Sequence, residues 1–178
     1  FAYLFVLFLF VVNMEVAKPN TLKVTFGQIT DKIVKQIKIL HKTTLPVDYS
    51  DNFYHRIVQW EKYTKLAYLN DILVGILTIR EDIDPKTNTK SLYIMTISVL
   101  PVYQRRGIGT QLMNELMTQC EKNGEISAIY LHVHIENTGA RDFYEQLGFE
   151  CFETVEGYYR GITPPDAYHL KKVFKEEQ

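Results

Sequence analysis

The chain has 178 residues, 46% apolar and 23% charged, with 20 basic against 21 acidic side chains for a net charge of −1. That balance argues against nucleic-acid binding by bulk positive charge, which needs a clear basic excess. The length suits one domain with a substantial core. The two cysteines, Cys120 and Cys151, are too few for a disulfide framework and point to a reducing compartment.

The opening run FAYLFVLFLFVV is apolar throughout. It is shorter than the roughly 18–20 residues that span a bilayer. It also lacks the cationic leader and small-residue cleavage site of a secretory signal. Residues 1–13 are therefore read as an apolar extension, and residues 14–178 as a single domain with no membrane association.

TLKVTFGQI (21–29) alternates apolar and polar residues and predicts a strand. In TDKIVKQIKILHKTT, Thr30 or Asp31 can cap a helix whose Ile33, Ile37 and Leu40 recur at helical spacing. Pro46 forces Leu45 out of the helical region, so 45–49 is a loop. Ser50 or Asp51 then caps a short helix over DNFYHRIVQW. KLAYL, ILVGILTI and SLYIMTISVL read as strands, joined by a tight turn at Asn70-Asp71 and a longer one over DPKTNTK. Ile108, Leu112, Leu116 and Cys120 line one face of the next helix, with Met113 and Met117 widening it and Gly124 as its stop. ISAIYLHVHI is a strand, and NTGARDFYEQLGF a short helix ended by Gly148. FECFETV and AYHLKKVF close the chain as two strands. The order describes a mixed α/β domain, one layer of sheet with helices against it.

The stretch QRRGIGT (104–110) stands where a strand hands over to a helix. It fails the dinucleotide fingerprint, because Leu112 stands where the third glycine should be. It fails the phosphate-loop pattern, because no lysine follows Gly109. It can still cradle a diphosphate. The first N–H groups of a helix lack internal partners, the helix dipole is positive there, glycines let an anion approach the backbone, and Arg105 and Arg106 add charge. A plain strand–helix turn with solvated arginines is the alternative. About thirty residues on, NTGARDFYEQLGF puts Phe143, Tyr144, Leu147 and Phe149 at helical offsets. Phe143, Leu147 and Phe149 read as core. The polar-tipped Asn137 and Tyr144 are positioned to face the same opening of the sheet as the turn.

Together these stretches resemble the Q/R-x-x-G-x-G/A and N-x-x-A-x-x-F-Y-x-x-x-G-F motifs of the GNAT superfamily of acetyl-CoA-dependent N-acyltransferases. LAYLND, LYIMTISVL, IYLHV, FYEQLGFE and YYRGITPPDAYHL extend the resemblance to the catalytic subunits of NatE-type N-terminal acetyltransferases, over about residues 20–175. The resemblance implies an α/β GNAT fold, about seven strands in a mixed sheet flanked by about four helices. Its fourth and fifth strands are parallel and splay at a bulge, with the pantetheine of acetyl-CoA between them. It implies direct attack of a substrate amine on the thioester, without a covalent enzyme intermediate.

Carried over residue by residue, the resemblance assigns cofactor contacts to Ile97, Ser98 and Val99. It continues them through Gln104, Arg105, Arg106, Gly107, Ile108, Gly109 and Thr110, and adds Asn137 and Tyr144, the last also as proton donor to the leaving thiolate. Many family members carry arginine at position 104, so Gln104 leaves more of the phosphate attraction to Arg105. The catalytic pair falls on Tyr93 and His132. A weak base suffices for an α-amine, whose pKa is about 7.7–8, whereas a lysine near 10.4 demands more. Lysine side chains remain a second class of acceptor. For Tyr93 the plain reading is a half-buried strand tyrosine, and for His132 a structural histidine. His132 and His134 also share a strand face, as a metal pair would, but no third ligand stands at a recognisable spacing. His134 is read as structural, and no metal is expected.

The loops at 45–49 and 157–162 match those that clamp the peptide in NatE-type enzymes. Leu45, Pro46, Val47, Tyr49, Met95, Tyr158 and Ile162 would line an apolar pocket for a retained Met followed by a hydrophobic residue. Leu45 replaces an aromatic residue expected in relatives, and Gly157 and Gly161 replace bulkier polar ones, so the Met-Leu preference is an expectation to be tested. The partners implied are nascent or mature protein N-termini and a NatA-type complex on ribosomes. The locations implied are the cytoplasm and also the nucleus. Two rival readings are a GNAT enzyme for small-molecule amines and a mainly non-catalytic partner subunit.

Overall fold

The structure, a computed structural model, describes residues 21–45 and 48–175. The apolar extension at 1–13, Pro46 and Val47 lie outside the described residues. Eleven regular elements follow in order: β1 (Thr25–Gly27), α1 (Val34–Thr44), α2 (Asp51–Ile57), β2 (Lys65–Leu69), β3 (Ile72–Ile83), β4 (Lys90–Val99), α3 (Ile108–Asn123), β5 (Ile126–His134), α4 (Thr138–Gln146), β6 (Glu150–Val155) and β7 (Ala167–Val173). The strands form one seven-stranded sheet in the order β1-β2-β3-β4-β5-β7-β6. Every neighbouring pair is antiparallel except β4 and β5, which run parallel because α3 carries the chain back between them.

Two cores cover the two faces of the sheet. On one, α3 buries Ile108, Leu112, Met113, Leu116 and Cys120 against Leu77, Ile79, Leu92, Ile94, Ile129 and Leu131. Each such aliphatic side chain contributes about 1.5–3 kcal/mol by leaving water. On the other, α1 and α2 bury Ile37, Leu40, Phe53, Tyr54 and Ile57 against Leu66, Leu73 and Ile76. Ser50 caps α2, accepting from the Phe53 N–H. Asn70 and Asp71 both take positive φ, 46° and 64°, as a two-residue hairpin requires.

Two strands differ from their sequence reading. β1 is confined to 25–27 because its first residues bond elsewhere: the Leu22 N–H donates to the Arg106 carbonyl and the Val24 N–H to the Gln111 side chain. β3 runs on to Ile83, beyond the apolar alternation, because its ladder with β4 continues through Arg80, Glu81 and Asp82. The helix expected over Asp51–Trp60 is regular only to Ile57. Among the described residues no helix is long and apolar enough to cross a membrane.

Candidate active site

The site begins at a break in the sheet. β4 pairs with β5 only through Lys90–Tyr93, the last pair being Tyr93 with Tyr130. β4 then runs on to Val99 and β5 to His134 without further pairing between them. The strands diverge and leave a wedge flanked by the backbone of residues 94–99. A bulge adds to the divergence: Thr78 pairs with Thr96 and Ile79 with Ile94, so Met95 is the extra residue. The bulge also exchanges faces. Leu92 and Ile94 belong to the α3 core, as do Ile97 and Val99, whereas Met95 packs with the α1–α2 core.

Parallel register brings the catalytic candidates together at the mouth of this wedge. The Tyr93 hydroxyl lies 3.3 Å from Nδ1 of His132 and 2.9 Å from the Tyr158 hydroxyl. His132 and Tyr158 stack with centroids 4.2 Å apart and planes 14° off parallel. The last loop that carries Tyr158 is tied down at several points. The Gly157 N–H donates to Asp166, the Tyr159 N–H to the Pro165 carbonyl, and Nε2 of His134 to the Pro164 carbonyl. His134 thus serves this loop, and its Nδ1 accepts from the Glu136 N–H. Among the described residues no group of three or more His, Cys, Asp or Glu side chains could hold a metal ion.

Burial, followed by the Tyr158 hydrogen bond, pushes the Tyr93 phenol far above its ordinary range. The Tyr93 hydroxyl is therefore protonated at pH 7. Burial lowers His132 below the usual imidazole range, helped by neighbouring His169 and opposed by Glu153. The ring is neutral at pH 7, with a lone pair to offer.

Around this pair stand residues that sequence reasoning did not single out. Arg80 lies over the Tyr93 ring, 4.9 Å from its centroid, and makes a two-point pair with Asp82 at 2.7 and 2.8 Å. Asp82 also accepts from the Tyr130 hydroxyl. Their only sequence signal is position: Arg80 pairs with Tyr93 and Tyr93 with Tyr130 across three strands.

Of the expected peptide contacts, Met95 lies beside Arg80, 3.9 Å from its guanidinium. The Tyr49 ring lies 4.2 Å from that of Phe53, tilted by 31°, and its phenol is raised by burial and then by Tyr158. Leu45 ends α1 half-buried, and Tyr158 and Ile162 are exposed on the last loop.

The turn after β4 has the shape of an anion cradle. Arg105 and Gly107 take φ of 60° and 74°, and α3 starts at Ile108 with no side-chain cap. The outward N–H groups of its first turn are open to a ligand. Arg105, Arg106 and Thr110 are exposed, while the Ile108 side chain is core. Gln104 donates its amide to the Val99 carbonyl at 2.9 Å, so it braces the turn from inside. Ser98 is buried with its hydroxyl unpaired among the described residues. From α4, the ring nearest Gly109 is Phe143, 3.5 Å from where a Cβ would stand. Asn137 caps α4 through the Ala140 N–H, and Tyr144 is enclosed among Phe143 and Phe149 rather than open to the wedge. Burial raises the Tyr144 phenol and keeps it protonated.

Comparison with known proteins agrees with this arrangement. The acetyltransferase (GNAT) family model matches residues 34–149. The chain is 44% identical to N-alpha-acetyltransferase 50 of Danio rerio over 150 residues, 84% of this chain and 88% of that protein. It is 42% identical to probable N-acetyltransferase san of Drosophila melanogaster over 152 residues, 85% of this chain and 82% of that one. Arabidopsis thaliana Naa50, solved with the bisubstrate analogue CoA-Ac-MVNAL, superposes with a TM-score of 0.77 at 38% identity, over 85% of this chain and 99% of that one. A parallel pair splayed beyond Tyr93, a glycine turn opening α3, and these relatives together establish that the chain belongs to the acetyltransferase (GNAT) family.

Proposed function

We propose that the protein transfers the acetyl group of acetyl-CoA to the α-amine of polypeptides that begin with Met followed by a hydrophobic residue. The observation that carries this reading is the parting of β4 and β5 just past Tyr93, with His132 at the mouth of the gap and in contact with the Tyr93 hydroxyl. The bisubstrate analogue bound by the Arabidopsis relative, CoA-Ac-MVNAL, supports both halves of the reading.

The residues fit coenzyme A. The turn at 105–110 offers backbone N–H groups and two arginines to a pyrophosphate. The wedge offers backbone groups of 97–99 to an extended amide chain. When bound, acetyl-CoA supplies an activated acetyl group as a thioester. Tyr49, Met95, Tyr158 and Ile162, with Leu45, hold the peptide's first residues over the gap. Neutral His132 takes a proton from the substrate ammonium, whose pKa is about 7.7–8, directly or through one water. The Tyr93 hydroxyl orients the His132 ring, and Arg80 holds Tyr93 in place. The freed amine forms the new C–N bond as the C–S bond breaks. The proton that the nitrogen sheds as the amide forms goes to the departing thiolate; Tyr144, enclosed among Phe143 and Phe149, does not face the wedge to supply it.

The same reading takes protein N-termini as partners and a NatA-type ribosomal complex as the setting. It takes the cytoplasm, and also the nucleus, as the location, with acetylation of lysine as a slower second activity. These rest on the resemblance to NatE-type subunits and on the two free thiols. The test is thiol release from acetyl-CoA with a Met-Leu peptide. Release by the wild type that is lost in His132→Ala and reduced in Tyr93→Phe supports the reading. No release by the wild type favours the non-catalytic alternative.

A further inference from the structure

The register of the last three strands lays three ionisable side chains in one transverse row. His132 of β5 stands opposite His169 of β7, and His169 stands opposite Glu153 of β6. The two imidazoles stack with centroids 5.0 Å apart and planes 17° off parallel. Beyond them, Nδ1 of His169 lies 3.1 Å from a Glu153 carboxylate oxygen. A carboxylate only accepts, so Nδ1 carries the proton. Nε2 of His169 is buried and without a hydrogen-bond partner among the described residues. The Phe152 and Tyr130 rings pack edge-on against His169 and close the pocket around it.

Acetyl transfer as derived above uses neither His169 nor Glu153. We propose that His169, oriented by Glu153, is a positioning residue for His132: it fixes the plane of the base and sets the pH at which the base changes charge. The proposal rests on the reading of His132 as the base. The physical argument is short. The base becomes an imidazolium when it accepts the substrate's proton. Glu153, behind His169, supplies a compensating charge for that cation. A cation on His169 acts the other way and repels it.

The other charged or titratable groups around His132 come from β3, β4, β5, β7 and the last loop. Tyr93 of β4 is raised by burial, as is Tyr130, two residues before His132 on its own strand. Arg80 and Asp82 of β3 are held as an ion pair behind those two phenols. Tyr158 and Tyr159 approach from the last loop, and Tyr159 is raised by burial. His134, two residues on, is engaged with Pro164 and Glu136. Lys171 of β7 pairs with Tyr130 in the next row and sits over the Phe152 ring. His169 and Glu153 therefore stand out as the pair that tunes the base, in opposite senses.

The experiment compares wild type, His169→Phe, Glu153→Gln and His132→Ala. It reads the pH dependence of kcat/KM on one Met-Leu peptide and the imidazole titrations by NMR. Titration of the substrate amine is common to all and cancels. His169→Phe keeps a ring and removes the positive charge that a protonated His169 would place beside the base, so the acid limb and the His132 midpoint move up. Glu153→Gln removes the attraction, so both move down. The His169→Phe shift is about half a pH unit, as expected for unit charges about 5 Å apart in a water-like dielectric, and the Glu153→Gln shift is about half as large at roughly twice the distance. Midpoints that stay in place while rate or stability falls at every pH overturn the proposal, and so do shifts in the same direction. Glu153 is exposed, so Glu153→Gln keeps the test decisive if His169→Phe fails to fold. In His132→Ala the limb should vanish. A limb that persists there removes the base assignment itself, an outcome distinct from unmoved midpoints.

Discussion

The Tyr93 hydroxyl and Nδ1 of His132 stand 3.3 Å apart although 39 residues separate them in sequence. Parallel pairing of Tyr93 with Tyr130 sets this contact, because His132 lies one strand period beyond Tyr130 on the same face. β5 has just left β4 at that point, so the pair looks into the wedge rather than into a closed sheet. Removing the hydroxyl in Tyr93→Phe leaves the ring packed at a tilt against Tyr130 and His132. We expect kcat to fall about 10-fold or more with little change in thermal stability, and His132→Ala to lose about 10²-fold or more. Steady-state kinetics and a melting curve on each variant check this.

Gly109 separates a cofactor role from a folding role. A Cβ there meets Phe143 at 3.5 Å and Ile97 at 3.8 Å, ordinary contacts, and the residue lies in the first turn of α3. Gly109→Ala should leave folding unharmed, or stabilise it by about 0.5–1 kcal/mol through helix propensity. It should also raise the KM for acetyl-CoA several-fold, because the new methyl stands where a phosphate approaches the backbone. Gly107→Ala is the contrast. Its φ of 74° and the Thr21 methyl at 3.0 Å make that change cost about 1–2 kcal/mol of stability. Urea titration together with acetyl-CoA saturation curves distinguishes the two.

Tyr158 both stacks on His132 and hydrogen-bonds Tyr93. Tyr158→Phe keeps the stack and should lower kcat only a few-fold. Tyr158→Ala should remove the stack and part of the peptide pocket, lowering kcat/KM about 10²-fold, mainly through peptide KM. Peptide saturation at fixed acetyl-CoA separates the terms.

His41 makes stability depend on pH. It is 1% exposed, enclosed by Tyr49, Phe53 and Tyr54, and burial lowers its pKa to about 4. Its Nε2 lies 3.3 Å from the Thr96 hydroxyl, which donates onward to Thr78. The unfolded chain protonates this histidine at about 6.5 and the folded one only near 4. Stability from this group is therefore complete above about 6.5 and is lost as pH falls toward 4, by up to roughly 2–3 kcal/mol. The denaturation midpoint of the wild type should fall more steeply between pH 7 and 5 than that of His41→Asn. Equal slopes would remove His41 from the acid response.

Much of the scaffold was legible in local pattern. The buried face of α3, the limits of β2 and the Ser50 cap follow from spacing over a few residues, which is how helices and strands bury one side. What local pattern missed was set by pairing between distant strands. In SLYIMTISV the apolar phase shifts at Ile94-Met95, but that the shift is a bulge shows only once β3 fixes the register. Arg80 and Asp82 read as the polar end of a strand, yet they support Tyr93 and Tyr130. His169 and Glu153 meet His132 only because β7 inserts between β5 and β6. At the turn, the glycines, arginines and Gln104 were readable as an anion cradle, but not that Gln104 braces it from inside. On α4, Tyr144 was read as facing the opening, yet it is core, and Phe143 meets the turn.

The most direct measurement follows acetyl-CoA consumption with four peptides of equal length: Met-Leu and Ser-Glu starts, each with a free or a blocked N-terminus. Mass spectrometry then locates the acetyl group. The account predicts fast turnover of the free Met-Leu peptide, with the acetyl group on its α-amine. It predicts little turnover of the Ser-Glu peptide or of either blocked form, and loss of turnover in His132→Ala. Equal rates on free and blocked peptides, or on Met-Leu and Ser-Glu starts, would contradict it.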